Sequence, residues 1–169
     1  RPSGVRPVTN IFPHLHLDAQ EPIAVLTIDR AAKRNALTPE MIQALSVLSR
    51  RAGQSAAVLV LRGSASVFCS GFDLSLCAEH PDGSVMRSLL QSLSDLVTTL
   101  RQLPIPVIVC AHGAALAGGC AILGGADIVV TDERAKLGYP VVRIGVSPAV
   151  SAPFLMGMVQ PGPARARLL

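Results

Sequence analysis

The sequence predicts an α/β domain built on a parallel sheet, and three observations carry that expectation. Ala56–Arg62 (AAVLVLR) and Pro106–Ala111 (PVIVCA) are apolar runs too continuous for strands with one wet face. Around them lie stretches whose apolar residues recur at helical spacing, so strands alternate with helices. The 169 residues are 50% apolar and 15% charged, which is enough for one domain with a real core. Such a composition excludes a disordered tail and a small disulfide-stapled scaffold.

In chain order, residues 1–10 are polar with two prolines and read as a flexible N-terminal arm before a core of residues 11–169. The chain does not begin with Met, which fits trimming or partial coverage. Ile23–Asp29 (IAVLTID) is rich in β-formers, and Phe12–Leu17 (FPHLHL) alternates like a partner strand. Arg30–Ala36 is a polar connection. Thr38-Pro39-Glu40 then opens a helix with a hydroxyl cap, a first-turn proline and an acid near the positive end of the dipole. Met41, Leu45 and Leu48 give it an apolar face. After the strand at 56–62, Ser64–Leu76 is expected as a loop, His80–Ser84 as a turn and Val85–Leu100 as an amphipathic helix. The strand at 106–111 leads through a glycine-rich turn, His112–Gly119, into a short helix. Asp127–Thr131 reads as a strand whose first residue caps backbone amides, Ala135–Val146 as a loop-and-strand unit, and Pro148–Val159 as a helix. No internal repeat or domain boundary is visible in the sequence.

Several function classes are disfavoured at this level. The net charge is +4, and thirteen of the fifteen cations are arginine, scattered rather than striped. That balance fits anionic small molecules better than a nucleic-acid groove. Tyr139 and four phenylalanines are the only aromatics, too few for a base-stacking platform. Cys69, Cys77, Cys110 and Cys120 form no CxxC pair and lie in apolar runs, which points to buried reduced thiols. With no export signal visible, a cytoplasmic location is expected. Leu103 to Ala126 is 24 residues without a formal charge, but Pro104, Pro106 and five glycines break it into a strand, a turn and a helix rather than a membrane span. His14-x-His16 lacks the acids or cysteines of a metal site, so a surface strand is expected there and no metal.

The densest chemistry lies in two loops that follow buried strands, Phe68-Cys69-Ser70-Gly71-Phe72-Asp73-Leu74 and His112 through Cys120. Glycines in each permit backbone geometry that exposes N–H groups, and the second loop enters a helix, whose N-terminal amides favour a developing negative charge. Two amides aimed at one point make an oxyanion hole. Tight strand–helix packing accounts equally well for Gly118-Gly119, and spacing alone leaves both readings open.

Four segments, taken in order, resemble the enoyl-CoA hydratase/isomerase (crotonase) family. They are Arg30-Ala31-Ala32-Lys33-Arg34-Asn35-Ala36-Leu37, Phe68 to Leu74, Ile105-Pro106-Val107-Ile108 through Gly113 and Ala117-Gly118-Gly119-Cys120, and Leu137-Gly138-Tyr139-Pro140 with Gly145-Val146-Ser147-Pro148. The resemblance implies a spiral of ββα units that binds an acyl-CoA thioester and holds its oxygen between the backbone amides of Phe72 and Gly118. It implies that Lys33, Arg34, Ala36, Ser70, Gly71, Asp73 and Leu74 line the coenzyme A, with Lys33 or Arg34 meeting a phosphate. Coenzyme A would arrive as part of the substrate, with no separate cofactor. The resemblance also implies a homotrimer or hexamer, and a core incomplete at its C-terminus, the family's C-terminal helical region being absent from this chain. Phe72 is bulkier than the family's usual small residue and is expected to narrow the acyl channel.

Two departures bear on the reaction. The family's hydratases carry a glutamate directly after the cysteine of the second glycine loop and another after the later proline; here those positions are Ala121 and Val141. Hydration needs a general base for water and a proton donor for carbon. Tyr139, beside the second position, is the candidate proton donor, with a packed tyrosine as the alternative. Asp73 is also expected to fix its own loop as an acceptor. The expected function is therefore an acyl-CoA thioester-processing enzyme of the hydratase/isomerase type with its usual glutamates replaced. The alternatives are a catalytically silent acyl-CoA-binding homologue and a crotonase-type decarboxylase or thioesterase.

Overall fold

The structure is a computed structural model that describes residues 9–141 and 147–163. Its main sheet has six strands: β1 (Thr9–Phe12), β2 (Leu15–Gln20), β3 (Ile23–Ile28), β4 (Val58–Gly63), β5 (Val107–Cys110) and β7 (Ile128–Val130), in that spatial order. β1, β2 and β3 pair antiparallel, whereas β3, β4, β5 and β7 run parallel. β6 (Ala114–Leu116) and β8 (Lys136–Gly138) form a separate parallel pair. Single-residue bridges, Leu37 to Phe72 and Cys69 to Ala115, extend that smaller stack toward the N-terminus. Each strand of the parallel part of the main sheet is thus followed by a short extended segment in the smaller stack, and the chain winds as a spiral of ββα units.

The first helix forms where the sequence places its cap. In α1 (Pro39–Gly53) the Thr38 hydroxyl accepts from the Met41 N–H at 3.3 Å, and Met41, Ile42, Leu45 and Leu48 are buried on one face. α3 (Ser84–Arg101) buries Leu89, Leu93, Leu96, Val97 and Leu100, and Arg50 of α1 donates to Thr99 of α3 at 2.8 Å. The core lies between these two helices and the parallel strands, with Leu26, Ile28, Leu59, Leu61, Val107 and Val109 at or near zero exposure. Asp127 accepts from the Val107 N–H at 2.7 Å, the amide-capping role expected of it.

Several boundaries differ from expectation. The strand expected over 12–17 is interrupted by a turn at Pro13-His14, where His14 has φ 64°, so Thr9–Phe12 becomes a separate strand. Thr9 and Asn10 therefore belong to the sheet, not to an arm; residues 1–8 lie outside the described residues. The loop expected over 64–76 ends at Asp73, whose carboxylate accepts from the Ser75 N–H and caps α2 (Leu74–Glu79). α4 is Gly118–Ile122, and α5 is Ala152–Met158, shorter than the helix expected over 148–159. Of the unit expected over 135–146 only β8 is a strand, and 142–146 lie outside the described residues. Cys69 and Cys120 are buried, but Cys77 and Cys110 are half-buried; none of the four forms a disulfide. The uncharged stretch 103–126 is divided among β5, β6 and α4, and no helix among the described residues is long and apolar enough to cross a membrane.

Candidate active site

The two loops singled out by their chemistry meet. Leu37 donates its N–H to Gly71 O at 2.8 Å and accepts from the Asp73 N–H at 2.9 Å. Successive N–H groups of an extended chain face opposite sides, so the bridge that engages Gly71 and Asp73 turns the Phe72 N–H away from Leu37. A Cβ at Gly71 would lie 3.1 Å from Leu116 O, tighter than side chains usually pack, and 3.7 Å from Gly118 N, so the second loop comes close here; the φ of 105° independently favours glycine. Among the described residues, neither the Phe72 N–H nor the Gly118 N–H has a protein acceptor.

The turn at 30–37 fixes the first loop. Buried Asn35 accepts from the Arg30 N–H at 2.8 Å and donates to Ser64 O at 3.0 Å and Val67 O at 2.9 Å. Arg30 donates to Ala36 O at 3.0 Å and pairs with Asp73 at 2.7 Å, with 17% and 6% of the two side chains exposed. The Ser75 hydroxyl, then the Arg30 guanidinium, hold the Asp73 carboxyl below its ordinary value against the effect of burial. The Asp73 side chain is thus the loop-fixing acceptor that the sequence predicts.

The second loop is held in an unusual backbone state. Ala117 has φ 49° and ψ −115°, and its N–H donates to Gly138 O at 2.9 Å. For a residue with a side chain this conformation costs on the order of 1–3 kcal/mol. α4 is only five residues long, so the donor there is the Gly118 N–H itself rather than a long helix dipole.

A cavity of about 310 Å³ opens on both loops. Of the predicted site residues, Ser70, Phe72, Leu74, Gly118 and Tyr139 line it. Lys33 and Arg34 stand exposed on the adjoining turn, where Arg34 O accepts from the Ser70 N–H at 3.1 Å and Lys33 O from the Ser70 hydroxyl at 3.5 Å. Ala36, Gly71 and Asp73 are buried behind the wall. Met86, Leu90 and Leu93 of α3 complete the apolar lining; their 4-and-3 spacing was the signal available for them, but it does not separate a cavity stripe from a core stripe. Val141 lines the cavity, whereas Ala121 is packed in the core with 2% exposure. No Asp, Glu, Lys, Arg or His is among the described lining residues.

Tyr139 is 7% exposed at the cavity wall. Burial first, then neighbouring Cys120, push its phenol well above the ordinary value, while a hydrogen bond with Ser151 acts the other way. The phenol is therefore neutral at physiological pH. Burial likewise pushes the Cys69 thiol up to about 12, which leaves it a packing residue rather than a nucleophile. His16 pairs with Asp29 at 3.0 Å, and among the described residues no three His, Cys, Asp or Glu side chains gather into a metal site.

Comparison with known proteins identifies the class to which this spiral of ββα units belongs. The enoyl-CoA hydratase/isomerase family model matches residues 18–167. "Enoyl-CoA hydratase domain-containing protein 3, mitochondrial" of Danio rerio is 29% identical over 139 residues, 79% of this chain and 48% of its own. "Enoyl-CoA hydratase EchA19" of Mycobacterium tuberculosis is 33% identical over 73% of this chain and 48% of its own. The crystal structure of an enoyl-CoA hydratase from Mycobacterium smegmatis superposes with a TM-score of 0.86 at 28% identity, covering 93% of this chain and 62% of that one. The chain belongs to the enoyl-CoA hydratase/isomerase family. It spans about half the length of these two curated relatives.

Proposed function

We propose that this chain processes an acyl-CoA thioester, holding the enolate-like oxygen between the N–H groups of Phe72 and Gly118. The observation that carries this reading is that these two amides have no protein acceptor among the described residues and belong to adjoining residues of the cavity wall. Preorganised donors of this kind act where charge develops, and removing one typically costs about 10²–10³ in rate. Lys33 and Arg34, exposed beside Ser70, meet the coenzyme A phosphates, and Ser70 and Leu74 border the pantetheine. Assembly as a homotrimer or hexamer belongs to the same reading; exposed Ile128, Val130 and Met156 fit a covered surface.

The proton chemistry departs from the family's usual pattern. With Val141 on the wall and Ala121 in the core, no described carboxylate reaches the cavity to activate water or abstract a carbon-bound proton. The hydroxyls on the described lining are those of Ser70, Tyr139, Ser147 and Ser151, of which the phenol is the strongest acid. This favours a second reading, decarboxylation of a malonyl-type thioester. The electrons of the breaking C–C bond pass into the thioester enolate, carbon dioxide leaves, and the Tyr139 phenol protonates the α-carbon before solvent restores it. The described lining, which carries no charged side chain, disfavours the substrate carboxylate in the ground state.

The test is mass spectrometry of crotonyl-CoA and malonyl-CoA after incubation with the protein in D₂O. Deuterium in a thioester, by hydration, exchange or loss of carbon dioxide, supports enolate chemistry and says which reaction forms it. Thioester binding with no conversion of either would replace the enzyme by a silent binder, and no binding would overturn the reading.

A further inference from the structure

We propose that Ala117 is a positioning residue whose methyl group, wedged against Gly71, sets the gap between the Phe72 and Gly118 amides. The inference rests on the reading of those amides as the thioester-binding pair.

The contact between the two loops is narrow. A Cβ at Gly71 would lie 3.1 Å from the Ala117 Cβ, so the methyl group occupies the side of Gly71 on which a side chain would project, one residue before Phe72. Ala117 in turn is one residue before Gly118. Both residues at the contact have positive φ, 105° at Gly71 and 49° at Ala117. Glycine takes such angles freely; alanine does not. Arg34, also at positive φ, has ψ 38° and sits in the left-handed helical well, whereas Ala117 at ψ −115° lies outside any well that a side chain favours.

The surroundings hold that conformation from both sides. The Ala117 N–H donates to Gly138 O at 2.9 Å, its carbonyl accepts from the Ala121 N–H at 2.9 Å, and the Leu116 N–H donates to Cys69 O at 3.0 Å. Strain that persists because its neighbours over-determine it is characteristic of functional loops. Here glycine would satisfy the backbone better but remove the spacer, so the methyl group's contribution is to the gap rather than to stability.

The measurement is ¹⁵N relaxation at Phe72 and Gly118 in wild type, Ala117→Gly and Ala117→Ser, with thermal melts and deuterium uptake into the thioester alongside. In Ala117→Gly both amides should move from rigid order parameters of about 0.85 to below about 0.6, with Tm raised by about 3 °C. kcat should fall about tenfold at unchanged KM. Ala117→Ser, which keeps the β-carbon, should behave as wild type in all three. Amides as rigid in Ala117→Gly as in wild type, or as loose in Ala117→Ser as in Ala117→Gly, would overturn the proposal. A wild-type chain that neither binds nor deuterates a thioester counts against the amide-pair reading, while the relaxation data still decide the role of Ala117.

Discussion

The aromatic ring of Phe72 lies against Gly118: a β-carbon at residue 118 would stand 2.8 Å from Cε1 of that ring. The two residues proposed to share one oxygen through their backbones are therefore also packed through the side chain of one of them. Gly118→Ala forces the ring aside into the cavity and should lower kcat/KM about tenfold. Phe72→Ala keeps its backbone amide and should stay within a few-fold of wild type. In the double variant most of the loss should disappear, giving a coupling of about 1 kcal/mol in a double-mutant cycle. Additive effects would mean that the ring does not limit access to Gly118.

Glutamate should have opposite effects at residues 141 and 121, the two positions to which the family resemblance assigns it. Val141→Glu brings a carboxylate to the cavity wall and should raise deuterium exchange at the thioester α-carbon. Ala121→Glu buries a charge where exposure is 2%, and should lower Tm without gain in activity. Equal tolerance of both variants in thermal melts would contradict the distinction between cavity wall and core.

The Arg30–Asp73 pair should dominate the acid limb of stability. The Asp73 carboxyl is held below the ordinary 3.8 by Ser75 and Arg30. Its contribution is present above that value and lost as pH falls through the lower folded one. Urea melts between about pH 4 and 2 should therefore show a shallower decline in Asp73→Asn than in wild type. Arg30→Met, which leaves the carboxylate unpaired, should destabilise by about 3 kcal/mol at neutral pH.

At high pH the sign reverses. The Cys69 thiol, raised from 9.0 to about 12, stays protonated in the fold while the unfolded chain ionises. Its contribution is complete below pH 9 and is lost on the way to pH 12, a decline of up to about 4 kcal/mol in unfolding free energy. Cys69→Ala should flatten this alkaline limb, and Tyr139→Phe should flatten it further; a limb unchanged in Cys69→Ala would contradict the burial of that thiol.

Much of this arrangement is legible in the sequence because local chemistry and tertiary packing agree. Thr38-Pro39-Glu40 starts α1 where its cap is seen, and the runs at 56–62 and 106–111 hold β4 and β5, the two inner strands of the parallel part of the sheet. Other features leave weaker traces. The strands of the smaller stack are one to three residues long, too short for any periodicity, so the spiral came only from the family resemblance. Pro13-His14 hides the break between β1 and β2 inside an alternating pattern. Six-residue α2 has one visible signal, the Asp73 cap, which also reads as a loop acceptor. Nothing in the composition of the second glycine loop distinguishes Ala117 at positive φ from its ordinary neighbours.

One thioester oxygen held between two amides has a signature in the infrared carbonyl stretch of a bound [1-¹³C]acyl-CoA. The thioester carbonyl should shift to the red on binding relative to water, and the shift should be reduced in Gly118→Val, where the second amide is displaced. A carbonyl frequency on the protein equal to that in water, with binding shown by titration in the same sample, would contradict it.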